Sequence, residues 1–213
     1  MNIPLHSKII NKVAREVLKP IGVKQKGQSR TWLDDNGWWI SVIEFQPSSW
    51  SKGTYLNFGV NWQWYPRDYF SFDFGNTTRG FVEYKTDEQF ESEVRELAEL
   101  AKSKVLEMRD LLATPESAKG YIITSMRGIK STVWGEFHPG IACVRAGDID
   151  GAVPFLKRVI DMLDERDWVL DIKCFTANIL SLIESGQDYN LFINDTINES
   201  RKLKKLEAIE FPG

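Results

Sequence analysis

Two cysteines and two histidines are all that this 213-residue chain has of the residues that ligate soft metals or move protons near neutral pH. That scarcity excludes a small secreted scaffold held by a disulfide framework. Cys143 and Cys174 lack the close Cys/His spacing of a zinc site, so neither a metal nor a cofactor is expected. Both fall within apolar helical patterns and read as core cysteines. Nucleophilic catalysis needs a Ser or Cys beside a histidine held by an acid. His6 lies near the N-terminus and His138 precedes Pro139, in what reads as a turn leading into a helix, so no such constellation is legible. The acid pairs Asp34-Asp35 and Asp148/Asp150 fall in turns, where aspartate hydrogen-bonds its own backbone. An enzyme is therefore the least supported class. Long apolar runs are missing too: no stretch nears the roughly 20 residues of a membrane span. The N-terminal residues lead into an amphipathic pattern and not a signal-peptide block, so a cytoplasmic protein is expected.

Strong net charge is also missing, at -3 overall, which argues against a polyanion-binding arm. The balance hides a split, however. Residues 1–32 carry seven basic side chains (Lys8, Lys12, Arg15, Lys19, Lys24, Lys26 and Arg30) against Glu16 alone. The rest of the chain is correspondingly acidic.

What the chain does have is β-forming sequence between residues 22 and 65. Asn36-Gly37 supplies the positive backbone angles of a tight hairpin, flanked on both sides by β-branched and aromatic residues. A first strand would place Lys24, Lys26, Gln28 and Arg30 on one face as a basic stripe. From Trp38 to Gln46 apolar residues occupy both parities, the mark of a central strand buried on both sides. In the third strand Leu56, Phe58, Val60, Trp62 and Trp64 share one face. Tyr55, Asn57, Gly59, Asn61 and Gln63 share the other, an amide-rich stripe. Phe70, Phe72 and Phe74 predict a further strand, residues 75–80 a loop, and residues 81–84 a short strand.

Helical periodicity brackets this region. Ile9, Ile10, Val13, Val17 and Leu18 share a face over residues 5–19, ended before Pro20. Thr86 and Gln89 form a capping box, followed by apolar steps of three and four up to residue 112. Beyond Pro115 the chain reads as helices. Residues 140–159 resemble one tetratricopeptide-like hairpin, carried by Gly140, Gly147-Asp148 and Ala152, with Pro154 in the first turn of its second helix. Two more helices follow, but no repeat array. The expected fold is α+β: an antiparallel sheet of four or five strands packed with helices 5–19 and 87–112, then a helical C-terminal half. The expected units are 1–113 and 114–213, packed together or continuous.

Lys26-Gly27 with Trp32, Asn36-Gly37, Gln46 and Tyr55-Leu56-Asn57-Phe58-Gly59 together resemble the pattern of an uncharacterised bacterial domain-of-unknown-function family, over roughly residues 5–112. The resemblance implies a leading helix and a hairpin sheet, and no activity. Small bacterial proteins of this kind resemble immunity or antitoxin-type partners.

Eight tryptophans can simply fill the core, which should account for most of them, but Trp and Tyr are also favoured binding anchors. The partner-binding candidates are Trp50, Trp39, Trp62, Trp64 and Tyr65, with Lys24, Lys26 and Arg30 at the rim. Trp50 leads, because a core role is hardest to arrange in the turn between Pro47 and Gly53. The leading expectation is a non-enzymatic protein-interaction module, in its most concrete form one that neutralises a toxin. Nucleic-acid binding along the basic first strand is the first alternative. The second is a small-ligand or enzymatic role for the stripe Tyr55, Asn57, Asn61 and Gln63, which predicts an open polar pocket.

Overall fold

The computed structural model describes residues 4–126 and 132–211. Five strands form one antiparallel meander in chain order: β1 (Lys24–Gln25), β2 (Thr31–Asp35), β3 (Trp39–Pro47), β4 (Gly53–Trp62) and β5 (Phe74–Glu83). The helices α1 (Leu5–Leu18) and α2 (Asp87–Leu111) flank the sheet in sequence. Then come α3 (Pro115–Met126), α4 (Val133–Arg145), α5 (Ile149–Asp161), α6 (Asp167–Glu184) and α7 (Tyr189–Leu203). This is an antiparallel α+β fold with a helical C-terminal half. No helix among the described residues is long and apolar enough to cross a membrane.

Local chemistry sets the first boundaries. Gly37 turns the β2–β3 hairpin at φ 83°, and its N–H donates to Asp35. Thr86 caps α2 by accepting from the Gln89 N–H, while the Gln89 side chain returns to the Thr86 N–H. α2 then lies across β3, β4 and β5 and along α1. The central strand β3 is buried on both faces from Trp39 to Ile43.

Consecutive residues of a strand point to opposite faces, and the end of β2 uses this to join two layers. Asp34 is buried against Arg109 of α2, whereas Asp35 takes both terminal nitrogens of Arg201 of α7 at 2.7 and 2.9 Å. The sheet is thereby clamped between α2 on one side and the end of α7 on the other. One hydrophobic cluster runs from Ile9 in α1 to Ile197 in α7, through sheet and helices alike.

Several expectations are corrected. The first strand is broken: Lys26 to Ser29 form a turn with Gly27 at φ 58°, and β1 folds back to pair with β2, Lys24 opposite Leu33. Lys24, Lys26 and Arg30 therefore share no stripe. Phe70 and Phe72 lie in an irregular segment, residues 66–73, that folds over the sheet. The glycine-containing stretch expected as a loop belongs instead to β5, whose register slips twice against β4. An edge strand with bulges accommodates glycine readily. Pro154 is the sixth residue of α5 and Pro139 lies inside α4, both beyond the first turn. His138 is consequently buried within α4 and not in a turn, and Cys174 is exposed while Cys143 is core.

The α4–α5 hairpin is close-packed through Gly140, where an added Cβ would meet Leu156 Cδ2 at 2.6 Å. A tighter fit governs the cover of the sheet. A Cβ at Gly59 would lie 2.2 Å from the Phe72 ring and 2.7 Å from the Phe74 carbonyl oxygen. Gly59→Ala is expected to destabilise by about 1–3 kcal/mol through overpacking, read as a lowered urea midpoint. An unchanged midpoint would show that the 66–73 segment is not held by this contact.

Candidate functional site

The β3–β4 connection carries the most exposed aromatic side chain of the described residues. Trp50 is 95% exposed. The loop beneath it is braced. The Trp50 N–H donates to Ser48 Oγ, Tyr84 N–H to the Lys52 carbonyl, and Lys52 lies close enough to His6 to help hold its pKa below the ordinary value, after burial and Arg30. Arg30 supplies the main brace. Its guanidinium donates to Ser7 Oγ of α1 at 2.6 Å and to the Gly53 carbonyl at 3.4 Å. It is half-buried, and burial lowers its pKa. Arg30 is thus a clamp under the tip and not a surface cation.

Three other expected anchors have no surface to offer. Trp39, Trp62 and Trp64 are buried in the core, where Trp62 and Trp64 stack at 4.7 Å and the partly buried Trp38 stacks on both. Their alternation in sequence suits a partner-facing stripe and a core stripe equally. The helical half arriving over them decides the matter.

The amide stripe is likewise covered. Asn61 and Gln63 are wholly buried. Asn61 donates to Ser71 and Asp73 of the overlying segment, and Gln63 donates to Asn61 Oδ1 at 2.6 Å and accepts from Ser200 of α7 at 3.3 Å. Asn57 donates to Glu44 and Gln46 and accepts from Thr77, while Tyr55 leans on Phe81. The open polar pocket expected there is replaced by an internal network, because each amide finds a partner on a neighbouring strand or on the cover.

Asp73 is the hub of that network. It accepts from Asn61, from the Trp62 N–H at 2.8 Å, from Ser71 at 2.9 Å and from Arg67 at 2.8 Å. His138 lies behind it, with Nε2 4.0 Å from Asp73 Oδ1. Its Nδ1 accepts from Trp64 Nε1–H at 3.0 Å, which places the ring proton on Nε2, where it has no partner among the described residues. Burial pushes the His138 pKa down to about 4 against the pull of Asp73, so the ring is neutral at pH 7 and forms no ion pair.

Arg67 stands where this network meets solvent. Its guanidinium lies 4.8 Å from the Trp134 ring and 5.8 Å from that of Tyr69. Together with Tyr65, Trp168 and Ile172 these line a pocket of about 360 Å³. Tyr65 is half-buried there, edge-on to Trp134, Phe137 and Phe175. The pocket offers ring faces and a guanidinium already neutralised by Asp73. Sequence reading missed Arg67, Trp134 and Trp168, since nothing local links residue 67 to residues 134 and 168.

Lys24 and Lys26 stand at a different surface, a cleft they share with Phe70 and the end of α7. Among the described residues no group of three or more His, Cys, Asp or Glu could hold a metal ion. The chain matches no protein-family model, and no curated protein or solved structure is significantly similar to it.

Proposed function

We propose that this chain is a protein-interaction module that docks through the β3–β4 tip, with Trp50 as the central anchor. The observation that carries the reading is an indole 95% exposed on a loop whose base is clamped by Arg30. A large aromatic presented on a braced loop loses little entropy on binding, and its burial is gained only in the complex. Occlusion of a toxin, in a bacterial cytoplasm, is the concrete form proposed. The partner would offer an apolar slot for the indole, with acidic groups facing Lys52 at the rim. Charge at such a rim sets on-rate and orientation more than affinity.

Trp50→Ala is expected to weaken partner binding by about 2 kcal/mol or more, roughly 30-fold in Kd. It should leave the urea midpoint unchanged, because the side chain is outside the core. The measurement is calorimetry of wild type and variant with the partner recovered from the source cell. Equal affinity for the two proteins would remove Trp50 as the anchor.

A further inference from the structure

We infer that the cleft bounded by β1, the 66–73 segment and the C-terminal end of α7 binds a small phosphorylated molecule of about nucleotide size. Its volume is about 530 Å³, within the range of small-ligand sites. Charge is the first argument. Lys24, Lys26, Arg201, Lys204 and Lys205 face two carboxylates, Asp35 and Glu207, leaving a local charge of +3 in a protein that is -3 overall. Asp35 is moreover taken up by Arg201 through both of its oxygens, so it does not neutralise the lysines.

The second argument is that one of these cations is built in. Lys204 is only 7% exposed, yet lines the cleft. Its ammonium donates to the Arg67 carbonyl at 2.7 Å and to Ser200 Oγ at 2.8 Å. An ammonium has three N–H donors, and the third has no acceptor among the described residues. Burial, helped by Arg67 and opposed by Asp73 and Asp68, pushes the Lys204 pKa down to about 8. A bound anion relieves that desolvation.

The third argument is backbone strain. Lys205 is the only non-glycine residue with positive φ among the described residues, at 60°. It closes α7 in a left-handed cap, with the Leu206 N–H donating to the Arg201 carbonyl at 2.9 Å. Glycine serves that position at lower cost. A lysine held there against its preference, on the wall of a cationic cleft, has a use for its side chain. Leu33, Phe70 and Leu206 supply an apolar wall for the organic part of a phosphate ester, and Lys26 already lies 4.7 Å over the Phe70 ring.

Isothermal titration of the full chain with sodium tripolyphosphate at low salt tests this. Saturable 1:1 binding at millimolar or lower concentration is expected. Lys205→Gly should weaken it roughly fivefold, as loss of one partly exposed cation would, with a urea midpoint equal to or above wild type because glycine relieves the cap. Lys157→Ala, on α5 and outside the cleft, should bind like wild type. Absence of saturable binding, or equal affinities of Lys205→Gly and Lys157→Ala, would overturn the site. Tighter binding of a single-stranded oligonucleotide than of tripolyphosphate would assign the cations to nucleic acid and overturn it equally.

Discussion

Asp73→Ala is expected to cost about 3–5 kcal/mol of folding stability, the range for stripping one partner from a buried ion pair. Arg67 and Asp73 have side chains only 8% and 4% exposed, so loss of the carboxylate leaves a guanidinium out of water without a counter-charge. Ser71 and the Trp62 N–H lose their acceptor in the same step, and Asn61 loses one of its two. Equilibrium urea unfolding measures the loss. Asp73→Asn, which keeps the shape and one acceptor but no charge, should fall between wild type and Ala. Combining Asp73→Ala with Arg67→Met should recover part of the loss, because the orphaned charge is gone and an apolar side chain takes its place beside Trp134. A loss below about 1 kcal/mol for Asp73→Ala would mean that water enters the network readily, and that the segment over the sheet is not pinned by it.

Stability should fall as the solution is taken from pH 6.5 toward pH 4, by about 1.4 kcal/mol per unit and about 3 kcal/mol in all, from His138 alone. The sign follows from which state binds the proton first. In the unfolded chain His138 titrates near 6.5. In the fold, burial holds it neutral down to about 4. Between those values the unfolded state carries the extra proton, so acid favours unfolding. Carboxylates held low by cations, such as Asp148 and Asp164, lose their stabilisation only at lower pH, which leaves the interval from 6.5 to about 4.5 diagnostic. His6, whose pKa is also lowered, adds in the same direction, and His6→Ala separates its share. His138→Asn keeps an acceptor near Trp64 Nε1, so it should flatten the profile even if its midpoint at pH 7 is lower. Identical wild-type urea midpoints at pH 7 and pH 5 would show that His138 is already protonated or solvated in the fold.

Both expectations concern residues whose importance is not visible along the chain. His138-Pro139 reads as a turn, because proline usually marks a helix start, yet α4 runs through it and buries the imidazole. Asp73 reads as a polar position between phenylalanines. Those phenylalanines alternate as a strand would, but Gly59 leaves a slot for the Phe72 ring and the segment becomes a cover. The same coverage turns the stripe of Asn61 and Gln63 from a ligand surface into an interior network. Arg30 and the lysines before it looked equivalent. One turn at Gly27 separates them, sending Arg30 under the hairpin tip and Lys24 and Lys26 to the cleft.

What could be determined from sequence was whatever a few neighbouring residues decide among themselves. Gly37 takes the positive φ of its own turn, although Asn36 beside it does not, Thr86 and Gln89 satisfy the open N–H groups of their own helix, and two-sided apolarity marks β3 as central. The exposure of Trp50 was legible for the same reason, since a short polar turn has no room to bury an indole. Tertiary structure decided which of the other tryptophans are core, which side chains cover the amides, and where five cations meet. Those outcomes depend on closures such as Asp34 with Arg109, Asp35 with Arg201 and Trp64 with His138. Burial and ion pairing act through space, and the partners stand 74 to 166 positions apart in the chain, beyond the reach of any local pattern.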